Sequence, residues 1–187
     1  MSTQDPTAQA ETSAETVPTE GPGAPEPQDM ATALHAALVE RAATIASAES
    51  VTGGAVGALL SAAPGASDTY LGGVVSYATE VKRKLLDVSQ STVDEDGVIS
   101  ARCAAEMAVG VRALLDADYG VSTTGVAGPT EQEGKPVGLV YLGLAGPDGV
   151  RTKELHLDGD RAAIRQQAVL EAVQAVLELV TGAAGRR

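Results

Sequence analysis

The stretch T-I-A-S-A-E-S-V-T-G-G, residues 44 to 54, is where the fold of this chain is decided. Its first four residues, Thr44 to Ser47, read as a short buried strand, and the run A-V-G-A-L-L-S-A-A that follows the glycines reads as a helix. A serine and a threonine therefore stand where a strand hands over to a helix. Two readings are open at that point. Free N–H groups at a helix start, with Gly53 and Gly54 leaving the backbone uncovered, can hold a phosphate, a carboxylate or a developing oxyanion, with the hydroxyls of Ser50 and Thr52 beside them. Capping by Ser or Thr is the commoner use of such residues.

Working outward from this stretch, Met30 to Arg41 carries Ala31, Leu34 and Leu38 on a helical period, so the order is helix, strand, helix. The turn P-G-A-S (64–67) leads to Y-L-G-G-V-V-S-Y (70–77), a mostly apolar run that predicts a central strand. A helix is expected to begin near Thr79. Asp94 to Gly97 read as a turn, and Ser100 caps a helix to about Leu115 with Cys103, Met107, Val111 and Leu114 on one face. Three strands follow, Y-G-V-S-T-T (119–124), V-G-L-V-Y-L-G-L-A (137–145) and V-R-T-K-E-L-H-L (150–157), the last two joined by the hairpin-like G-P-D-G (146–149). A final helix starts after Asp158-Gly159-Asp160, with Ile164, Ala168, Ala172, Val176 and Val180 repeating every four residues. The alternation predicts an α/β layered sandwich, and the late hairpin makes its sheet mixed and mostly parallel, flanked by helices.

Composition narrows the function. Twenty-five acidic against 13 basic residues give a net charge of −12, which argues against nucleic acid, because phosphate backbones require a basic face. Residues 1–29 hold six carboxylates and no Lys or Arg among Pro, Thr, Gln and Ala, the composition of a disordered acidic tail. The folded domain is expected over 30–182, with a flexible C-terminus at 183–187. No apolar run approaches the roughly 20 residues a bilayer requires and no secretory signal is visible, so a cytoplasmic location and no membrane contact are expected. One cysteine, Cys103, and two scattered histidines, His35 and His156, offer neither a zinc cluster nor a Ser-His-Asp triad; Cys103 reads as structural.

Three further stretches qualify as candidate sites. In S-Y-A-T-E-V-K (76–82), Tyr77 ends a strand and Lys82 follows in the next helix; a lysine acts as a base only when desolvation or a nearby positive charge lowers its pKa, and Arg83 and Lys84 show the ordinary solvated alternative. The loop beginning T-T-G-V-A-G-P contains Gly125 and Gly128, where backbone can approach a ligand closely. In G-D-R-A-A-I-R (159–165), Arg161 and Arg165 share a helix face, as a clamp for phosphate or carboxylate or as partners of Asp158 and Asp160.

In order, A-E-S-x-T-G-G, V-x-Y-x-x-E-x-K-x-x-L-L-x-V, A-D-Y-G-V, G-V-A-G-P, K-P-V-G and G-D-R-x-x-I-R resemble the CinA C-terminal domain family over about residues 30 to 181, in its stand-alone form. The resemblance implies an amidohydrolase that converts nicotinamide mononucleotide and water to nicotinate mononucleotide and ammonia in NAD recycling. It implies Ser50 as nucleophile, Lys82 as the base and Tyr77 as a hydrogen-bonding partner, without cofactor or metal. On this reading the amides around Thr52, Gly53 and Gly54 bind the oxyanion, while Gly125, Gly128, Arg161 and Arg165 contact ribose and phosphate. A small-molecule nucleotide substrate and a homodimer are implied as well. The chain departs from the family pattern at Val51, usually cysteine, at Ala78-Thr79, often Ser-Asn, and at T-E-Q-E-G (130–134), which replaces a glycine-rich run and brings in Glu131 and Glu133. The alternative from another class is a non-catalytic interaction module of the same fold, a partner of competence or DNA-damage proteins.

Overall fold

A computed structural model describes residues 26–182. The tail expected over 1–29 and the flexible end at 183–187 lie outside the described residues except for 26–29, and the last three of these already open the first helix. That helix, α1 (Pro27–Val39), starts with proline at a position whose missing N–H costs nothing. There follow β1 (Ile45–Glu49), α2 (Ala55–Leu60), β2 (Tyr70–Val75), α3 (Thr79–Leu86), α4 (Gln90–Glu95), α5 (Ala101–Leu114), β3 (Tyr119–Gly125), β4 (Leu139–Gly146), β5 (Gly149–His156) and α6 (Arg161–Thr181).

The strands form one sheet in the order β2-β1-β3-β4-β5. β1 lies parallel to both β2 and β3, while β4 is antiparallel to both β3 and β5. Four strands therefore point one way and β4 alone points back, a mixed and mostly parallel sheet as the sequence predicts. Their common carboxyl end is the one beyond Glu49, Val75, Gly125 and His156. Helices α1, α2 and α6 cover one face, where Ile45, Val121, Leu142 and Leu144 meet Leu34, Leu38, Ile164, Ala172 and Val176. On the other face Ala46 and Ala48 meet Leu86, Cys103, Met107 and Val111 from α3 and α5. α5 lies close against the sheet: Ser122 donates to the Ala104 carbonyl at 2.5 Å, and a side chain at Gly143 would strike the same carbonyl.

Three expectations need correction. β2 is an edge strand, not a central one; it pairs only with β1, and Leu71 and Val75 face outward, about half exposed. Its apolar run reads as doubly buried because Gly72 and Gly73 mask the alternation. The turn expected at Asp94–Gly97 is confined to Asp96 and Gly97; Asp94 and Glu95 are the last residues of α4, a short, mostly polar helix without an apolar period. Ser89 caps it by accepting from the Thr92 amide, and Glu106 of α5 anchors it by accepting from Ser89 N and Thr92 Oγ1. Leu114 turns out to solvent at 50% exposure, whereas Ala104 and Ala108 join Cys103, Met107 and Val111 in the core. No helix among the described residues is long and apolar enough to cross a membrane.

Candidate active site

β1 is buried at all five positions and runs two residues beyond the expected Ser47, so that it ends on Glu49. The chain leaves the sheet at Ser50, whose amide still donates to the Thr123 carbonyl of β3 at 2.9 Å. Glu49 is 2% exposed and turns under the loop that follows. One carboxylate oxygen accepts from Thr52 Oγ1 (2.7 Å), Gly54 N (2.9 Å) and Val56 N (3.0 Å), the other from Gly57 N (2.7 Å). The start of α2 is thus an anion site filled by the protein's own carboxylate. Of the two readings of this stretch, capping falls to Glu49, and Ser50 is left to face outward.

Ser50 faces a lysine. After β2, Ser76 is clamped to the end of β1, its amide donating to the Glu49 carbonyl at 2.7 Å, and α3 then carries Lys82 back beneath the loop. Lys82 is 1% exposed, the largest fully buried side chain among the described residues. Its Nζ donates to the Ser76 carbonyl at 2.6 Å and to Ser50 Oγ at 2.9 Å. Burial pulls its pKa below the ordinary lysine value, against the smaller opposing influence of Cys103 and Glu133. The neighbouring Arg83 and Lys84 do not share this environment, so burial separates three basic residues that sequence alone leaves equivalent. Cys103 lies in the same buried layer; desolvation pushes its thiol up to about 12, which makes it inert at neutral pH.

Ser50 and Lys82 lie in the wall of a cavity of about 250 Å³ at the carboxyl end of the four co-directional strands. Tyr77 and Thr79 form one side. The 124–132 segment forms another and Arg161, the first residue of α6, closes the mouth. Arg161 Nη1 donates to the Gly128 carbonyl at 2.7 Å and Nη2 to Tyr77 Oη at 3.0 Å, so one guanidinium ties three segments across the opening. Gly128 adopts φ +86°, a conformation that favours glycine and presents this carbonyl. Gly125 also lines the cavity, but what its missing side chain admits is the backbone of Leu139 and Val140 in β4.

The expected residues therefore separate into two shells. Ser50, Tyr77, Lys82, Gly125, Gly128 and Arg161 line the cavity. Thr52, Gly53, Gly54 and Arg165 do not; they brace the loop. Thr52 is fully buried between Glu49 and Thr123, and Arg165 Nη2 donates to the Thr52 carbonyl at 2.7 Å with its guanidinium lying over Gly53. The amides expected to be free at Gly53 and Gly54 are engaged, the first by the Ser50 carbonyl and the second by Glu49. Those of Val51 and Thr52 donate to no acceptor among the described residues. Tyr77 bonds to Arg161 rather than to Ser50 or Lys82, and 63% of it is exposed. Neither arginine pairs with Asp158 or Asp160; Asp160 instead caps α6 by accepting from the Ala163 amide at 2.9 Å.

Residues that the sequence reading missed are Glu49 and Ser76. A carboxylate just ahead of a glycine-rich helix start is a legible signal for the first. For Ser76 the working group is a backbone carbonyl, which no side-chain pattern announces. The histidines stand apart, His35 Nδ1 against Thr69 Oγ1 at 2.9 Å and His156 against Glu154 at 2.8 Å. No cluster of three or more metal-ligating side chains occurs among the described residues.

Comparison with known proteins agrees with this arrangement of elements. The model of the CinA C-terminal domain matches residues 27–180. A CinA-like protein of Frankia casuarinae is 52% identical over 145 residues, which are 78% of this chain and 34% of that protein. The chain spans about a third of the length of the curated relatives it matches. Among solved structures, a competence-damaged protein (CinA) superfamily protein from Klebsiella pneumoniae superposes with a TM-score of 0.81 at 31% identity, covering 84% of this chain and 99% of that one. One of the same superfamily from Escherichia coli gives 0.81 at 32% identity, covering 82% and 90%. With a family model matched from α1 to the last turn of α6, the chain belongs to the CinA C-terminal domain family.

Proposed function

We propose that this chain is an amidohydrolase that deamidates nicotinamide mononucleotide to nicotinate mononucleotide and ammonia, with Ser50 as nucleophile and Lys82 as base. The observation that carries the chemistry is the buried Lys82 amine, lowered in pKa by desolvation and 2.9 Å from the Ser50 hydroxyl in the wall of an open cavity. A carboxamide is a poor electrophile with a poor leaving group, so its hydrolysis needs an activated nucleophile, an oxyanion site and an acid for the departing nitrogen. The Ser76 carbonyl holds one N–H of neutral Lys82, leaving the lone pair for the Ser50 proton. Ser50 Oγ then attacks the carboxamide carbon. The resulting oxyanion is directed to the amide of Val51, which lines the cavity and has no acceptor among the described residues. The Lys82 ammonium returns the proton to the amide nitrogen, which leaves as ammonia; water then opens the ester with Lys82 again as base, giving the acid and free Ser50. The nucleotide identity of the substrate rests on the family resemblance, and a homodimer belongs to the same reading.

The test is ammonia release from nicotinamide mononucleotide by purified protein beside Ser50→Ala. Release that vanishes in the variant supports the reading. A well-folded wild type that releases none overturns it and favours the interaction module, in keeping with the competence-damage naming of the structural relatives.

A further inference from the structure

Three ionisable side chains line the cavity: Arg161, Glu131 and Lys82, the last taken as neutral in the deamidase reading. Lys82 is engaged by Ser50 and Ser76. Arg161 bonds to a carbonyl and a hydroxyl, so its charge meets no counter-charge. Glu131 has neither an ion pair nor a hydrogen bond among the described residues, while its neighbour Glu133 points to the Ile99 amide at 3.3 Å. The wall thus carries two unmatched charges of opposite sign, the positive one at the start of α6 and the negative one on the 130–134 loop.

Unmatched charges in a concave site select a ligand whose own charges are arranged in the opposite sense. Resting on the deamidase reading, we infer that Glu131 is the counter-charge of a cationic heteroaromatic ring, so that the site takes zwitterionic nucleotide amides with the anionic phosphate toward Arg161 and the quaternised ring toward Glu131. The carboxylate discriminates by ring charge. A nucleotide of identical sugar and phosphate with a neutral, reduced dihydropyridine ring lacks the partner for Glu131 and binds less well. Because Glu131 is exposed, the discrimination is that of a solvated ion pair, up to about fivefold in affinity, and fades with added salt.

The experiment is calorimetric titration of nicotinamide mononucleotide and of its reduced 1,4-dihydro form into the Ser50→Ala protein, with and without Glu131→Gln. Asp148→Asn in the β4–β5 hairpin serves as a charge control. The expected result is a preference for the oxidised ring that Glu131→Gln removes, Asp148→Asn keeps and 0.5 M salt weakens. Glutamine retains an acceptor oxygen, so an equal loss for both ligands indicates a contact to the ribose and overturns the assignment, as does no change for either. Either of those results alongside wild-type turnover of the mononucleotide leaves the deamidase reading standing. Absence of both binding and turnover overturns the two together.

Discussion

Replacing Glu49 with alanine removes the group on which the nucleophile loop rests, and the cost can be worked from its contacts. The carboxylate accepts four hydrogen bonds, from Thr52 Oγ1 and from the amides of Gly54, Val56 and Gly57. Thr52 keeps Thr123 Oγ1 as a partner at 2.7 Å, so the loss falls on three amides. The Val56 bond is buried and leaves its donor stranded, at about 1–3 kcal/mol; those at Gly54 and Gly57 are part-buried and are taken at about half as much each. Water entering the vacated polar space recovers some of this, which leaves about 3 kcal/mol. For a domain of this size that corresponds to a fall in Tm of roughly 6–12 °C. Ser50 itself is still tied to β3 through its amide, so the substrate cavity persists while the 51–54 segment loosens. On the proposed mechanism turnover should then fall more through kcat than through KM, since the Val51 amide would stabilise charge that exists only in the transition state. Calorimetry and steady-state ammonia release measure the two effects. A Tm loss below about 2 °C together with unchanged kcat would refute the reasoning, because it would mean that solvent serves these amides as well as Glu49 does.

Lys82→Met keeps the buried volume and removes the amine, so turnover should be abolished, whereas Lys84→Ala should leave it near normal; equal rates in the two variants would contradict the assignment. Because burial lowers the Lys82 pKa, the wild-type rate should rise with pH along a limb below the ordinary lysine value of 10.5. Stability is linked in the same direction. Between the lowered pKa and 10.5 the unfolded chain binds the extra proton, so this contribution to stability increases with pH across that window and is level at its lower value beneath it. Because the raised Cys103 pKa slopes the other way at alkaline pH, the test is the difference in melting temperature between wild type and Lys82→Met, which should increase with pH across the window. Arg161→Ala should raise KM for the mononucleotide about tenfold with kcat within about threefold, as expected for a charge-assisted contact to phosphate; a pure kcat loss would place Arg161 elsewhere in the mechanism.

How much of this was legible in the sequence differs between elements for physical reasons. α6 was read almost residue for residue, because a helix with one continuous apolar stripe leaves a strong periodic signal, whereas β1 was found but ended two residues early, at Ser47, because Glu49 is a charged residue in a buried strand. α4 left none: it is polar apart from Val93, and what anchors it is Glu106 on another helix. β2 was placed at the wrong position in the sheet, since strand order depends on partners that local pattern does not name. Within the site, Ser50 and Lys82 emerged from the family resemblance, whereas residue chemistry alone could not separate Lys82 from Arg83 and Lys84. Their difference is burial, and burial is settled by how α3 packs on α5. The engagement of the glycine amides was hidden for a related reason: they look free until the Ser50 carbonyl takes that of Gly53 and Glu49, itself part of the buried strand, folds beneath Gly54.

The directions of the strands explain why these separated motifs meet at all. β1, β2, β3 and β5 run the same way, and each delivers one segment to the end where they finish: Ser50 after β1, Tyr77 and Lys82 after β2, the Gly125–Gly128 turn at the end of β3 and beyond it, Arg161 after β5. Only β4 points back, and so the long 126–138 connection that feeds it must also lie at this end. That connection carries Glu131 and is the longest of the three places, with Val51 and Ala78-Thr79, where this chain departs from the motif pattern. The sheet thus fixes the Ser–Lys pair through hydrogen bonds at strand ends, while on the proposed reading substrate preference would fall to an exposed loop. Substitutions from 130 to 134 are accordingly the ones expected to change which amide is accepted without disturbing the lysine and serine beneath.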